Sequence, residues 1–187
     1  QKLYPQDTLQ VTIVGSNVAG DVENSALLVY YEDVQGIEAS LITHEELQRY
    51  GVNIMSIANT LAVTGTGTLV DGLAALNADT DLPKANTDYA IVGYHCTVEA
   101  CSIAYRGPDL GNVYVGGPGN EVRRDLTCRW FENLARDYGW PLIPVINSAN
   151  KGATQVGAIQ DENGGDPVVY TILVELSPDA RTSLRRA

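Results

Sequence analysis

The chain is short of the residues that most chemistry needs. It has two histidines, His44 and His95, and three cysteines, Cys96, Cys101 and Cys128. Lysine and arginine together number 12 against 23 aspartates and glutamates. Two histidines far apart in the chain cannot supply the cluster that a metal-dependent cupin requires. An odd cysteine count without Cys-x-x-Cys spacing is no disulfide framework, so the three read as free, buried thiols. The formal net charge of −11 argues against nucleic acid as a direct partner, because phosphate contacts need clustered basic residues. The basic clusters, Arg123-Arg124 and Arg181, Arg185 and Arg186, read as solvated or interface charge. No run approaches the roughly 20 apolar residues of a membrane span. The opening residues, from Gln1, do not read as a secretory leader, and no Asn-X-Ser/Thr acceptor occurs.

The partial motifs fail on inspection. Gly15-Ser-Asn-Val-Ala-Gly20 follows a strand pattern, but Asn17 stands where a dinucleotide loop needs its second glycine. Asp21 stands where a phosphate loop needs lysine. Asn77-Ala-Asp-Thr-Asp81 has the alternating oxygen ligands of a calcium loop. Leu82 occupies its sharp-turn glycine and Asp88 its closing glutamate, so a solvated acidic loop is expected. There is no Gly-x-Ser-x-Gly elbow for a hydrolase nucleophile. His95 beside Cys96 suggests a thiol pair, yet neighbours in a strand point to opposite faces. His95 is therefore read as a core or interface residue. His44 is read as an exposed first-turn residue. The expectation is no enzyme, no catalytic residue, no cofactor and no metal site.

What is present is β pattern. Strands are expected near 8–15, 25–32, 53–64, 88–97, 100–106, 141–147, 153–160 and 167–176, each rich in β-branched or alternating apolar residues. The long run from Asp88 to Arg106 exceeds a typical strand and is split near Glu99. Pro144 places its strand at an edge or bulge. Asn163-Gly164 is a hairpin turn signal. Residues 69–87 read as a long loop or partly helical excursion, and 107–119 as a glycine-rich loop. Thr43-His-Glu-Glu46 is a capping box for a short helix over 44–50. Val122, Leu126, Trp130, Leu134 and Tyr138 recur every fourth residue, with Phe131 and Ala135 beside them in one apolar stripe, and predict one long helix over 121–138, with Asn120 as N-cap and Gly139 beyond its end.

These elements predict a mainly β chain of one domain, 1–187, with extended termini 1–7 and 177–187. Eight antiparallel strands without a βαβ rhythm point to a two-sheet β-sandwich, most simply a jelly roll. An eight-stranded sandwich with a helix before its last three strands resembles the capsid jelly rolls of tailless icosahedral viruses. The segments Arg106-Gly-Pro-Asp, Val115-Gly-Gly-Pro-Gly119 and Pro141-Leu-Ile-Pro-Val-Ile-Asn-Ser-Ala-Asn150 also look like phage structural-protein sequence. The resemblance is architectural and carries no signature residue. It implies a capsid-shell or shell-decorating subunit located in the virion. Its partners would be copies of itself and other virion structural proteins.

Glycine-rich loops and flexible ends would serve subunit contacts. Most of the strands, notably 8–15 and 168–176, show no inward charge or proline in their middle, so either the fold pairs them internally or a partner covers them. The alternative is a carbohydrate-binding β-sandwich module, with Tyr30, Tyr31, Tyr94, Tyr105 and Tyr114 as stacking platforms if they cluster on one exposed face.

Overall fold

A computed structural model describes residues 40–61, 74–75, 84–97, 102–112, 114–119, 124–159 and 166–180. The expected strands 8–15 and 25–32, the acidic loop at 77–81, Cys101, the Asn163-Gly164 turn and the ends 1–7 and 181–187 lie outside these residues. In chain order the described elements are β1 (Leu41–Ile42), α1 (His44–Tyr50), β2 (Gly51–Thr60), β3 (Ala74–Ala75), β4 (Asp88–Cys96) and β5 (Ser102–Arg106). They continue with β6 (Val115–Pro118), α2 (Arg124–Thr127), α3 (Trp130–Tyr138), β7 (Ile143–Asn147), β8 (Gln155–Ile159) and β9 (Val168–Leu176). The chain is mainly β, and its strands form two antiparallel sheets. One has the order β1-β7-β4-β9-β2 and the other β3-β8-β5-β6. The pairing is nested: β2 pairs with β9, β3 with β8, β4 with β7 and β5 with β6. The pairs β4–β9 and β5–β8 stitch adjacent layers of the nest together.

The expected strands at 88–97, 100–106, 141–147, 153–160 and 167–176 appear as β4, β5, β7, β8 and β9, and that at 53–64 as β2. β4 is buried along almost its whole length, so it reads as a continuous apolar run. β9 alternates, with Val169, Thr171, Leu173 and Glu175 turned inward. It lies between β4 and β2, so the fold itself pairs this strand on both sides. The expectation that Pro144 puts its strand at an edge or bulge is corrected: β7 lies between β1 and β4, and Pro144 sits just past Val145, where the β4 pairing ends, so its missing N–H leaves no ladder bond unmade. β6 had no strand pattern, since two of its four residues are glycine. A side chain at Gly116 would meet the Ile103 carbonyl at 2.2 Å, and one at Gly117 the Trp130 indole at 2.3 Å.

The sheets are joined through aromatic side chains. Tyr94 of β4 and Tyr105 of β5 lie 6.2 Å apart. The Tyr105 and Thr171 hydroxyls share a 3.0 Å hydrogen bond between the sheets, and the Tyr94 hydroxyl donates to the Pro118 carbonyl at 2.8 Å. Phe131 of α3 stands edge-on to both rings, at 6.1 and 6.3 Å. Such pairs add about 0.5–1.5 kcal/mol each beyond area burial.

Helix α1 forms as expected, with Thr43 accepting from the Glu46 N–H and the Glu46 carboxylate accepting from the Thr43 N–H. His44 is not exposed, however. It is half-buried against α3, its Nδ1 3.8 Å from a Glu132 carboxylate oxygen. The expected long helix 121–138 is corrected more substantially. It is interrupted after Thr127, and Arg129 leaves helical geometry at φ −132°, ψ 31°. The cause lies in β4. A side chain on Gly93 would stand 2.4–2.5 Å from backbone atoms of Thr127 and Cys128. The chain sets its backbone directly on that glycine and restarts the helix afterwards. The buried stripe moves by one residue as a result. Thr127, Phe131 and Ala135 are buried, whereas Leu126 is 41% exposed and Trp130 and Leu134 are half-buried. Gly139 closes α3 in the left-handed conformation, φ 70°. Among the described residues, no helix is long and apolar enough to cross a membrane.

The shifted stripe makes a quantitative prediction. Phe131→Ala should lower unfolding free energy by about 3–5 kcal/mol. Leu126→Ala should change it by no more than about 0.5 kcal/mol. Denaturant titration of both variants checks this, and a larger loss at Leu126 than at Phe131 would refute the burial pattern.

Candidate subunit-contact surface

The loops expected to serve as contact material are, where described, tied to their own chain. Gly107 begins a tight turn whose carbonyl accepts from the Leu110 and Asn112 N–H groups. Asp109 fastens this turn to the end of β7. One carboxylate oxygen accepts from the Asn147 N–H at 2.9 Å and the other from the Asn150 side chain at 2.8 Å. Its carbonyl accepts from the Ser40 N–H at 2.8 Å. Nearby, the Ser148 hydroxyl accepts from the Thr87 N–H and donates to the Lys84 carbonyl. The Glu175 carboxylate, 4% exposed, is paired with the Lys84 ammonium. That hydrogen bond and the Glu175 charge raise the Lys84 pKa above its usual value. A buried carboxylate left alone would cost several kcal/mol, so the pair is a structural requirement. These polar groups satisfy one another and leave no reactive atom poised.

The residues singled out for chemistry are dispersed. His95 stacks on Tyr170 at 5.9 Å on one face of the sheet, while Cys96 is buried in the core. The two neighbours therefore diverge, as strand geometry requires. Cys128 is half-buried and is a free thiol. Tyr94 and Tyr105 are sealed in the core and cannot serve as stacking platforms. Tyr114 is exposed, with the Arg106 guanidinium 5.3 Å over its ring. Tyr30 and Tyr31 lie outside the described residues. Among the described residues, no three His, Cys, Asp or Glu side chains are grouped to hold a metal ion.

Among the described residues, the two most exposed large apolar side chains lie on β2. Its sequence alternates, with Ile57 and Asn59 buried and Ile54, Ser56, Ala58 and Thr60 exposed. Val52 is 60% and Ile54 67% exposed. The register places Tyr170 of β9 opposite Ala58, and Tyr170 is exposed as well. Ile172 and Val174, opposite Ser56 and Ile54, are half-buried on the same face. The five-stranded sheet ends at β2, and among the described residues nothing pairs its outer side. A smaller patch is formed by Tyr138 and Trp140, whose rings are 5.8 Å apart, both at least half exposed. Sequence reasoning found most of the strands unprotected and named 8–15 and 168–176, without singling out β2. The available signal was the absence of charge and proline from Gly51–Thr60.

No protein family, curated protein or solved structure matches the chain.

The buried phenols give a pH test of the join between the sheets. Burial raises the pKa of both Tyr94 and Tyr105 far above the ordinary value near 10. The folded state keeps both protonated where the unfolded chain ionises. The unfolded chain then binds fewer protons, so stability falls as pH rises. Their contribution is complete below pH 10 and declines above it. Tyr105→Phe should lower stability at neutral pH by about 1 kcal/mol, through loss of the Thr171 bond. It should also make the alkaline decline shallower. Thermal melts across the alkaline range measure both effects, and equal alkaline slopes for the two proteins would contradict the assignment.

Proposed function

We propose that this chain is a virion structural protein, a capsid-shell or shell-decorating subunit of a tailless icosahedral virus or phage. It acts through contacts with copies of itself and with other virion structural proteins. The observation that carries the reading is the nested strand pairing. Four antiparallel pairs, β2–β9, β3–β8, β4–β7 and β5–β6, are divided into the orders β2-β9-β4-β7 and β3-β8-β5-β6. A long ribbon of four such pairs, rolled on itself, gives a two-sheet jelly roll, and we assign the chain to that topology. Jelly rolls serve in viral capsid and lectin domains and in cupins. Fold alone does not choose among them, so the surface must.

The cupin use needs a histidine cluster, whereas His44 faces Glu132 and His95 faces Tyr170. The carbohydrate-binding use loses Tyr94 and Tyr105 to the core. The subunit use is supported by the long apolar edge at β2 and the exposed Tyr138–Trp140 pair. The net charge of −11 keeps separate copies soluble and makes their association sensitive to ionic strength.

Purified protein should form species larger than a dimer, and the assembled fraction should rise as salt screens the acidic charge. Mass photometry and negative-stain electron microscopy across ionic strength read this directly. A strictly monomeric protein at every salt and protein concentration would defeat the proposal, and binding on a glycan array would then favour the carbohydrate module.

A further inference from the structure

We propose that β2 is a self-pairing edge, on which β2 of a second copy adds antiparallel to join two five-stranded sheets into one continuous sheet. The inference rests on the subunit reading and names its contact. Three features of β2 point to this occupant. The first is length and regularity. β2 has ten residues, and its only register irregularity against β9 falls between Gly51 and Asn53. From Asn53 to Thr60 the ladder is unbroken, and among the described residues nothing pairs the outer side, which offers regularly spaced backbone donors and acceptors.

The second feature is missing protection. Monomeric sheet proteins blunt an edge with lysine, proline, an inward charge or a bulge that twists it away. Gly51–Thr60 contains no charged residue and no proline. It also carries Val52 and Ile54, the most exposed of the large apolar side chains described.

The third feature is charge. Two copies of a chain with net charge −11 repel wherever their carboxylates meet. A strictly neutral strip is where like-charged copies approach at least cost. A basic partner segment would gain nothing from it, because β2 offers no carboxylate. Among the described strands, the one that matches a neutral, alternating, β-branched edge is the same edge on another copy. The contact is isologous and closes on itself about a two-fold axis. In an antiparallel pairing centred on Ser56, Ile54 of each copy stands opposite Ala58 of the other, a large side chain against a small one. Met55 stands opposite Ile57 on the inner face.

The test uses the full chain. Ile54→Lys and Ala58→Lys place charge on the edge at exposed positions, where folding has no need of the native side chain. Each should weaken self-association by about tenfold or more and leave the melting temperature unchanged. Ser56→Cys, at the centre of the pairing, should give a disulfide-linked dimer on mild oxidation. Leu126→Cys, exposed elsewhere, should not. If the lysine variants assemble like the parent chain and Ser56→Cys yields no linked dimer, the inference is overturned. Larger assemblies of the parent chain would in that case leave the subunit reading standing. A parent chain that is monomeric throughout would overturn both.

Discussion

The architecture depends on the close approach of backbone to backbone at Gly93. Thr127 and Cys128 occupy the space that any side chain at that position would need. β7 pairs with β4 only over residues 88–90, so the rest of that side of β4 would otherwise be a bare strand edge. Helices α2 and α3 take its place against β4, one of the ways in which proteins cover an edge. Helix continuity is lost there, and what is gained is position. The restart at Trp130 brings Phe131 between Tyr94 and Tyr105, where α3 helps to hold the two sheets.

That seat makes the molecule unequal on its two flanks. On the side of β7 and β4, helices, the short β1 and the Asp109–Asn147–Asn150 bonds close the structure. Two polar groups of the core are matched too, Tyr105 to Thr171 and Glu175 to Lys84. On the side of β2, among the described residues, the sheet ends at an uncharged strand with two large aliphatic side chains in solvent. This contrast links the fold to the proposed role.

Much of the fold was legible in the sequence where the determining interactions are local. The capping box at Thr43 and Glu46 announces α1, and alternation in 167–176 announces β9. The same holds for the apolar run of β4. What escaped was set by distant residues or by missing side chains. Nothing in the period of Val122 to Tyr138 reveals that Gly93 interrupts the helix, since the two meet only in the folded state. β6 is half glycine, and glycine contributes no pattern. The proposed contact surface was partly legible. The charge-free run Gly51–Thr60 is visible in the sequence, but its edge position follows from which strands pair. The same pairing placed 168–176, an equally unprotected pattern, in the interior of the sheet.

Hydrogen exchange at single-residue resolution, on dilute and on assembled protein, tests this account most directly. Around residues 91–96 of β4 the amides should be protected under both conditions, because the Gly93 seat closes that flank within one chain. Amides of β2 that point away from β9 should exchange rapidly when dilute and become protected on assembly. Protection of β2 that is unchanged by assembly, or rapid exchange beside Gly93 in the dilute protein, would contradict it.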